Sequence, residues 1–427
     1  MKVLMFSWEF PPLISGGLGT ACYGIVKALL ENNVDVDLVL PSKEEVYFPM
    51  RKPEDADFLP VKYLDSDKKI DGRFKNVEEK IIHLGLAEYP ETYINFEEVE
   101  SFHRYFTDVD NKYRSEVEII RKNLIGDEDI FSKIKEFTIR AYDFAEKLDF
   151  DIIHVHDWLT YPAGIVAKKI SGKKLAAHIH ATEFDRSSVS GDERIHKIEY
   201  AGLQAADAVI AVSRYTSNLI SNQYGIDKNK INIVHNAHVD DYKKVDKKRK
   251  FKGPVILFLG RITLQKGPDY FLEVGNRIVK KHSNAKFVMA GSGDMEKKII
   301  HKSAYYSLKN NFLFTGFLRR KDVFELFSFT DVYVLTSVSE PFGIAPLEAM
   351  SFGIPSIISK QSGVAEVIKN AIKVDFWDID KLTESIEYLI NNPDEAKEIG
   401  EKSRKEVEGL RWIDAARKIK NIYRGVI

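Results

Sequence analysis

Val332-Tyr333-Val334-Leu335-Thr336 runs directly into Ser337-Val338-Ser339-Glu340-Pro341-Phe342-Gly343-Ile344-Ala345-Pro346-Leu347-Glu348-Ala349-Met350-Ser351-Phe352-Gly353. The first five residues are short, apolar and β-rich, as a buried strand requires, and the segment from Ile344 has helical apolar periodicity. In a parallel α/β sheet the loop between them opens at the carboxyl ends of the strands, where ligands bind. Glu340 falls on that loop and Glu348 lies inside the helix. Two carboxylates placed this way can grip the hydroxyls of a sugar and of a ribose. Taken alone, Glu340 serves equally well as an acidic residue at the positive end of a helix, with Glu348 on a solvated face.

Outward from this stretch the alternation continues. Strands are expected at Val255 to Leu259, Lys286 to Ala290, Phe312 to Phe314 and Ser356 to Ile358, with helices at Pro268 to Lys281, Met295 to Leu308, Lys321 to Ser328 and Ile379 to Asn391. The first half repeats the rhythm with strands at Val3 to Phe10, Val34 to Leu40, Asp151 to Asp157, Leu175 to Ala181, Ala208 to Val212 and Ile231 to Asn236. Such alternation marks doubly wound parallel sheets. Residues 1–245 form one domain, interrupted at about 42–136 by a charged, aromatic insertion. Lys243, Lys244, Lys247, Lys248, Arg249, Lys250 and Lys252 form a solvated hinge. Residues 253–411 form a second domain, and a last helix in 412–427 is a candidate to cross back to the first. Tyr47, Phe48, Tyr89, Tyr93 and Phe96 in the insertion suit surface packing, or stacking platforms for a sugar acceptor.

At 427 residues the chain is long for one core. Lys and Arg total 63 against 64 Asp and Glu, a balance of 63 − 64 = −1, so no global field attracts nucleic acid and any anion must be held locally. No apolar run approaches the roughly 20 residues of a membrane span. Glu9, Pro11 and Pro12 come too early for a signal peptide. The one cysteine, Cys22, excludes an internal disulfide and reads as a buried small hydrophobe, which suits the cytoplasm.

Several loops carry candidate chemistry. Gly16-Gly17-Leu18-Gly19 precedes a helix without the dinucleotide glycine spacing. It serves as a tight turn, or brings backbone N–H groups close to an anion. In Gly260-Arg261-Ile262-Thr263-Leu264-Gln265-Lys266-Gly267, Arg261 offers a planar fork to phosphate and Lys266 a point charge. Gly291-Ser292-Gly293 leaves room for a nucleotide. His154 with His156, and His178 with His180, share a strand face pairwise, but no Glu or Cys completes either set, so no metal is expected.

Taken together, Gly16-Gly17-Leu18-Gly19, His180-Ala181-Thr182-Glu183, Arg261 with Lys266-Gly267, and Glu340-Pro341-Phe342-Gly343 to Glu348 resemble the retaining glycosyltransferases of the GT-B fold. Within them the likeness is greatest to the glycogen and starch synthases and their bacterial and archaeal relatives. The resemblance implies two Rossmann-like domains facing across a deep cleft, a nucleotide-diphospho-sugar donor such as UDP- or ADP-glucose, and a glucan or other carbohydrate acceptor. It gives Arg261 and Lys266 the departing diphosphate, Glu340 the donor sugar's hydroxyls and Glu348 the ribose. Gly16, Gly17 and Leu18 would meet the phosphates, His180 the donor sugar, and Asp157 would stand near the acceptor. Glu183, Gly291, Phe342 and Gly343 complete the expected substrate-binding set. No cofactor or metal is implied. Bacterial glycogen synthases usually carry a lysine two residues before the paired glycines, where this chain has Ile14. A different sugar, a small or lipid-linked acceptor, a nucleotide-sugar epimerase and a non-catalytic glycan-binding protein are the other readings. The oligomeric state is not legible.

Overall fold

The computed structural model describes residues 1–11, 16–41, 46–49, 58–61, 81–83, 129–187, 191–238 and 251–427. Ile14, the hinge lysines up to Lys250 and most of the aromatic insertion, including the stretch Tyr113 to Leu124 whose sequence pattern reads as a helix, lie outside them. Fifteen strands are present among the described residues: β1 Lys2–Phe6, β2 Asp35–Leu40, β3 Val46–Pro49, β4 Phe58–Val61, β5 Ile81–His83, β6 Ile152–His156, β7 Lys174–Ile179, β8 Ala208–Ala211, β9 Ile231–Ile233, β10 Val255–Leu259, β11 Lys286–Ala290, β12 Phe312–Gly316, β13 Val332–Leu335, β14 Ser356–Ser359 and β15 Ile372–Val374.

Seven strands form one sheet in the order β5-β2-β1-β6-β7-β8-β9, and six form another in the order β12-β11-β10-β13-β14-β15. Every pairing in both is parallel. These are two Rossmann-like sheets. In each, the strand order reverses once, between β1 and β6 and between β10 and β13. At such a reversal the loops diverge and leave a crevice at the strands' carboxyl ends. The stretch after β13 is therefore one wall of a switch point, and the glycine turn after β1 is a wall of the other.

Both sheets are covered on both faces, so their strands are nearly continuous apolar runs. Leu4, Phe6, Ile153, Val155 and Ala177 belong to one core of the first sheet, while Val3, Met5, Ile152, Ala176 and Ile210 belong to the other. Period-two alternation accounts for that division. β3 and β4 pair antiparallel as a separate ribbon, which the sequence reading did not foresee, and β15 was also missed.

The last helix, Trp412–Val426, leaves the second domain and packs on the first. Its Trp412, Ala415, Ala416, Ile419 and Tyr423 share a core with Cys22, Ile25 and Leu29 of the helix Gly17–Glu31. Asn32 Nδ2 donates to the Ile413 carbonyl at 3.2 Å and Lys420 Nζ to the Asn32 carbonyl at 2.6 Å. Gly24 makes the close approach possible, because a Cβ there would stand 2.3 Å from the Trp412 ring. We expect Gly24→Ala to destabilise the protein by about 1–3 kcal/mol through overpacking, despite the roughly 1 kcal/mol that alanine gains in helix propensity. Urea unfolding would show a lower midpoint; an unchanged or higher one would mean that the helices separate without cost.

Candidate active site

Between the two sheets lies a cavity of about 750 Å³. Of the residues expected from sequence, His180, Arg261, Lys266 and Glu340 line it, as do Gly16, Gly17, Leu18, Asp157, Gly291, Phe342 and Gly343. They come from the loops after β1, β6, β7, β10, β11 and β13. Topology alone brings these loops together, since each leaves a carboxyl end close to a switch point.

Two helices present bare N-termini here. Gly17–Glu31 starts behind Gly16 with no side-chain cap and no acidic residue in its first turn, and so does Ile344–Ser351 behind Gly343. A Cβ on Gly17 would lie 3.8 Å from Ile344 Cδ1, so the two ends are neighbours across the cleft. First-turn N–H groups carry partial positive charge and favour anions.

The basic loop after β10 is held by its neighbours. Gly260 N–H donates to the Ala290 carbonyl at 3.0 Å, Ile262 N–H to the Ser292 carbonyl at 2.9 Å, and Val338 N–H to the Gln265 carbonyl at 2.9 Å. Glycine is required at two of the contacts. Gly267 has φ 63° and a Cβ there would meet the Thr336 carbonyl oxygen at 2.2 Å; Gly291 has φ 133° and would meet that of Gly260 at 1.9 Å. The Arg261 guanidinium is exposed to the cleft and donates to Gln265 Oε1 at 3.2 Å. Lys266 Nζ lies 2.6 Å from Glu340 Oε2, which also accepts from the Ser337 hydroxyl at 3.0 Å. The Glu340 side chain is 8% exposed, so the pair is largely desolvated and Lys266 keeps Glu340 from being a lone buried charge.

On the opposite wall Asp157 adopts φ 59°, unusual for a non-glycine residue. Its carboxylate accepts the His180 N–H at 2.6 Å and the Ala181 N–H at 3.4 Å, which fixes the backbone at the end of β7. Burial pushes the Asp157 carboxyl up to about 7, against the opposing pull of the His180 N–H and Arg186. Burial pushes the His180 imidazole down to about 3, so it meets a ligand as a neutral group.

Two expected residues are not in the cavity wall. Glu183 is buried beside it, where its carboxylate accepts from Arg186 Nε at 2.9 Å and from the Ser187 hydroxyl at 2.8 Å. Glu348 lies one helical turn beyond Ile344, on the same side of the helix. Arg186, which sequence reasoning passed over, does line the cavity, as do Glu9, Trp158 and Phe317. Arg186 also donates to Glu199 Oε1 at 2.7 Å and the Ala181 carbonyl at 3.1 Å. Its only sequence signal was a cation a few residues past a strand end.

The domains also touch beside the cavity. Glu366, in the second, accepts the N–H groups of Arg214 and Tyr215 at 2.9 and 2.7 Å, and His235 Nε2 lies 3.0 Å from it. The Tyr215 and Ser339 hydroxyls are 2.9 Å apart, and Ser339 donates to Asp185. The Glu340 loop is thus tied to the first domain.

Two Rossmann-like domains with a cleft between their switch points are the architecture of the GT-B glycosyltransferases. The chain belongs to the starch synthase catalytic domain family, whose model matches residues 2–231, and the model for glycosyl transferases group 1 matches residues 240–406. An uncharacterized glycosyltransferase of Methanocaldococcus jannaschii is 27% identical over 99% of this chain and 98% of its own. A glycogen synthase of Mycobacterium tuberculosis is 25% identical over 87% of this chain and 80% of its own. Sucrose-phosphate synthase from Thermosynechococcus elongatus has the same fold, with a TM-score of 0.70 at 18% identity, covering 99% of this chain and 98% of that one. The protein is accordingly a transferase of the glycogen and starch synthase type. Among the described residues no helix is long and apolar enough to cross a membrane.

Proposed function

We propose that this enzyme transfers glucose from UDP- or ADP-glucose to an α-glucan with retention of anomeric configuration. The observation that carries the reading is the meeting of two uncapped helix N-termini with Arg261 and Lys266 around one cavity. A sugar diphosphate is the anion such a site suits. In the reaction the bond from the anomeric carbon to the donor phosphate breaks and a bond to the acceptor hydroxyl forms on the same face. The departing phosphate oxygen takes the acceptor's proton, so no separate carboxylate base is needed.

Arg261 and Lys266 stabilise the charge that grows on that oxygen. Glu340 orients the sugar hydroxyls, with Lys266 free to exchange part of its contact for phosphate. His180, neutral, hydrogen-bonds the sugar. Glu348 reaches the ribose, and Gly16, Gly17 and Leu18 meet the phosphates. Asp157 sets the backbone of His180 on the acceptor side, and Glu183 holds Arg186 in place. Phe342, Gly343 and Gly291 shape the space for the donor. Because two side-chain cations and two helix ends supply the charge, the diphosphate needs no metal ion. The rate is expected to be unchanged when divalent cations are omitted from the assay, and a strict dependence on added magnesium or manganese would refute this. The buried, unbridged Cys22 suits the cytoplasm.

The test is release of nucleotide diphosphate from UDP-, ADP- and GDP-sugars, with and without glycogen, beside Glu340→Ala. Glycogen-dependent release from UDP- or ADP-glucose, lost in the variant, supports the assignment. Glycogen-independent release, or preference for another sugar, moves the function to a small or lipid-linked acceptor or a different donor.

A further inference from the structure

The sequence offered two separate histidine pairs; the sheet joins them. β6 and β7 are parallel neighbours with His156 opposite His178, so His154, His156, His178 and His180 fall on one face of the sheet. That face is covered by the helices Gly17–Glu31 and Trp412–Val426. His154 and His156 are wholly buried and His178 is 1% exposed. Ring centroids are 4.3 Å apart for His154 and His156, 5.2 Å for His156 and His178, and 5.4 Å for His154 and His178.

The nitrogens of these rings are used unevenly. His154 Nδ1 is 2.6 Å from the Tyr423 hydroxyl, and His156 Nδ1 is 3.0 Å from His180 Nε2. Nε2 of both residues, and both nitrogens of His178, are buried without a partner. A buried polar atom left unpaired is costly, and several of them in one spot call for a common partner. One nitrogen from each of His154, His156 and His178 lies within 4.8 Å of the other two.

We propose that His154, His156 and His178 bind one divalent first-row transition-metal ion, with Zn²⁺ the first candidate, through their unpaired imidazole nitrogens. Neutral imidazoles suit zinc, nickel and copper, whereas magnesium and calcium require oxygen ligands, which this triplet does not offer. The arrangement has the outer support that metal-bound histidines use: Tyr423 and His180 engage the far nitrogen of two of the three rings and fix their orientation. With Nδ1–H of His154 donated to the tyrosine oxygen, the Nε2 lone pair is left for the ion. Cys22 forms an overlapping group with His156 and His180, but its sulfur accepts the Ser7 hydroxyl at 3.1 Å and lies outside the triplet. The ion is structural. It joins β6 to β7, reaches the C-terminal helix through Tyr423, and reaches the cavity wall through His156 and His180. It takes no part in the transfer chemistry.

The full-length chain without a polyhistidine tag would be freed of metal and titrated with Co²⁺ and Zn²⁺. We expect one equivalent to bind, with the visible absorption of Co²⁺ in a nitrogen-rich site and only nitrogen or oxygen scatterers by X-ray absorption. His178→Ala should abolish binding, and His301→Ala, exposed in the second domain, should not change it. Because His178→Ala risks misfolding, Tyr423→Phe provides a milder second variant, in which affinity should fall by about 10- to 100-fold. Absence of stoichiometric binding by the wild-type chain, a sulfur scatterer, or wild-type affinity in both His178→Ala and Tyr423→Phe would overturn the proposal.

Discussion

Lys266→Ala is expected to lower the rate of sugar transfer by about 10²–10³-fold, the range for removing one preorganised charge donor from a water-poor site. Two losses combine. In the proposed reaction the departing diphosphate would lose a cation when its charge is greatest, and Glu340, with a side chain 8% exposed, loses the ammonium 2.6 Å away. The surroundings should survive, since the Ser337 hydroxyl still donates to Glu340 and the loop after β10 is fixed mainly by backbone hydrogen bonds to β11's exit and to Val338. Circular dichroism should therefore be unchanged while kcat collapses. A variant that keeps wild-type turnover would remove Lys266 from the diphosphate clamp. A variant that loses its fold would show that the ion pair is structural.

The second large effect is expected at the contact between domains. Glu366→Gln removes the charge that holds three donors at once: the first N–H groups of the helix Arg214–Tyr224 and the His235 ring. Hydrogen bonds to a charged group contribute about 1.5–3 kcal/mol each when sheltered. With 23% of the Glu366 side chain exposed, screening reduces this, and a total of about 1–3 kcal/mol is a reasonable expectation. The open form of the cleft would then become about 10- to 100-fold more populated. Small-angle scattering of the ligand-free variant should show a larger radius of gyration, and nucleotide diphosphate with acceptor should restore compaction. Identical profiles for variant and wild type would show that this contact does not hold the cleft.

The same carboxylate gives the contact a pH dependence. Burial raises the Glu366 pKa, but the hydrogen bonds from His235, Arg214 and Tyr215 outweigh it and leave it below the ordinary 4.5. A lowered carboxyl pKa in the closed form means that closure binds fewer protons than opening does. The stabilisation is present above pH 4.5 and is lost as pH falls through the lowered value. In acid the wild type should scatter like Glu366→Gln.

How much of this was legible in the sequence depended on where each residue's partners lie. β10 and β11, and the helices Pro268–Lys281 and Ile379–Asn391, were delimited to the residue, and β13 to within one. Buried parallel strands are unbroken apolar runs, and the Gly, Pro and charged residues between them mark the ends. β15 was missed because three residues including Lys373 at a sheet edge carry no such signal. The cavity loops were readable because doubly wound sheets place ligands at carboxyl ends, so residue type and position in the rhythm were enough to nominate Arg261, Lys266 and Glu340. Arg186 was not readable in this way. Its place follows from the short helix Glu183–Ser187 and from a partner, Glu199, in another helix. The joining of the histidine pairs was hidden for a related reason: it depends on which strand lies beside which, and in what register, neither of which periodicity reveals.

The return of the chain at its end limits how the two halves can move. His238, at the end of the first domain's described residues, donates its N–H at 3.2 Å to the carbonyl of Leu410, two residues before the helix that returns to the first domain. A single tether would allow swivelling in every direction. Chain fastened at one place as it leaves and as it returns would act as a door's hinge, favouring one swing over twist and sliding. Each cycle of opening would then return Arg261 and Lys266 to the same position opposite Gly17, with alignment supplied by the path of the chain rather than by the ligand.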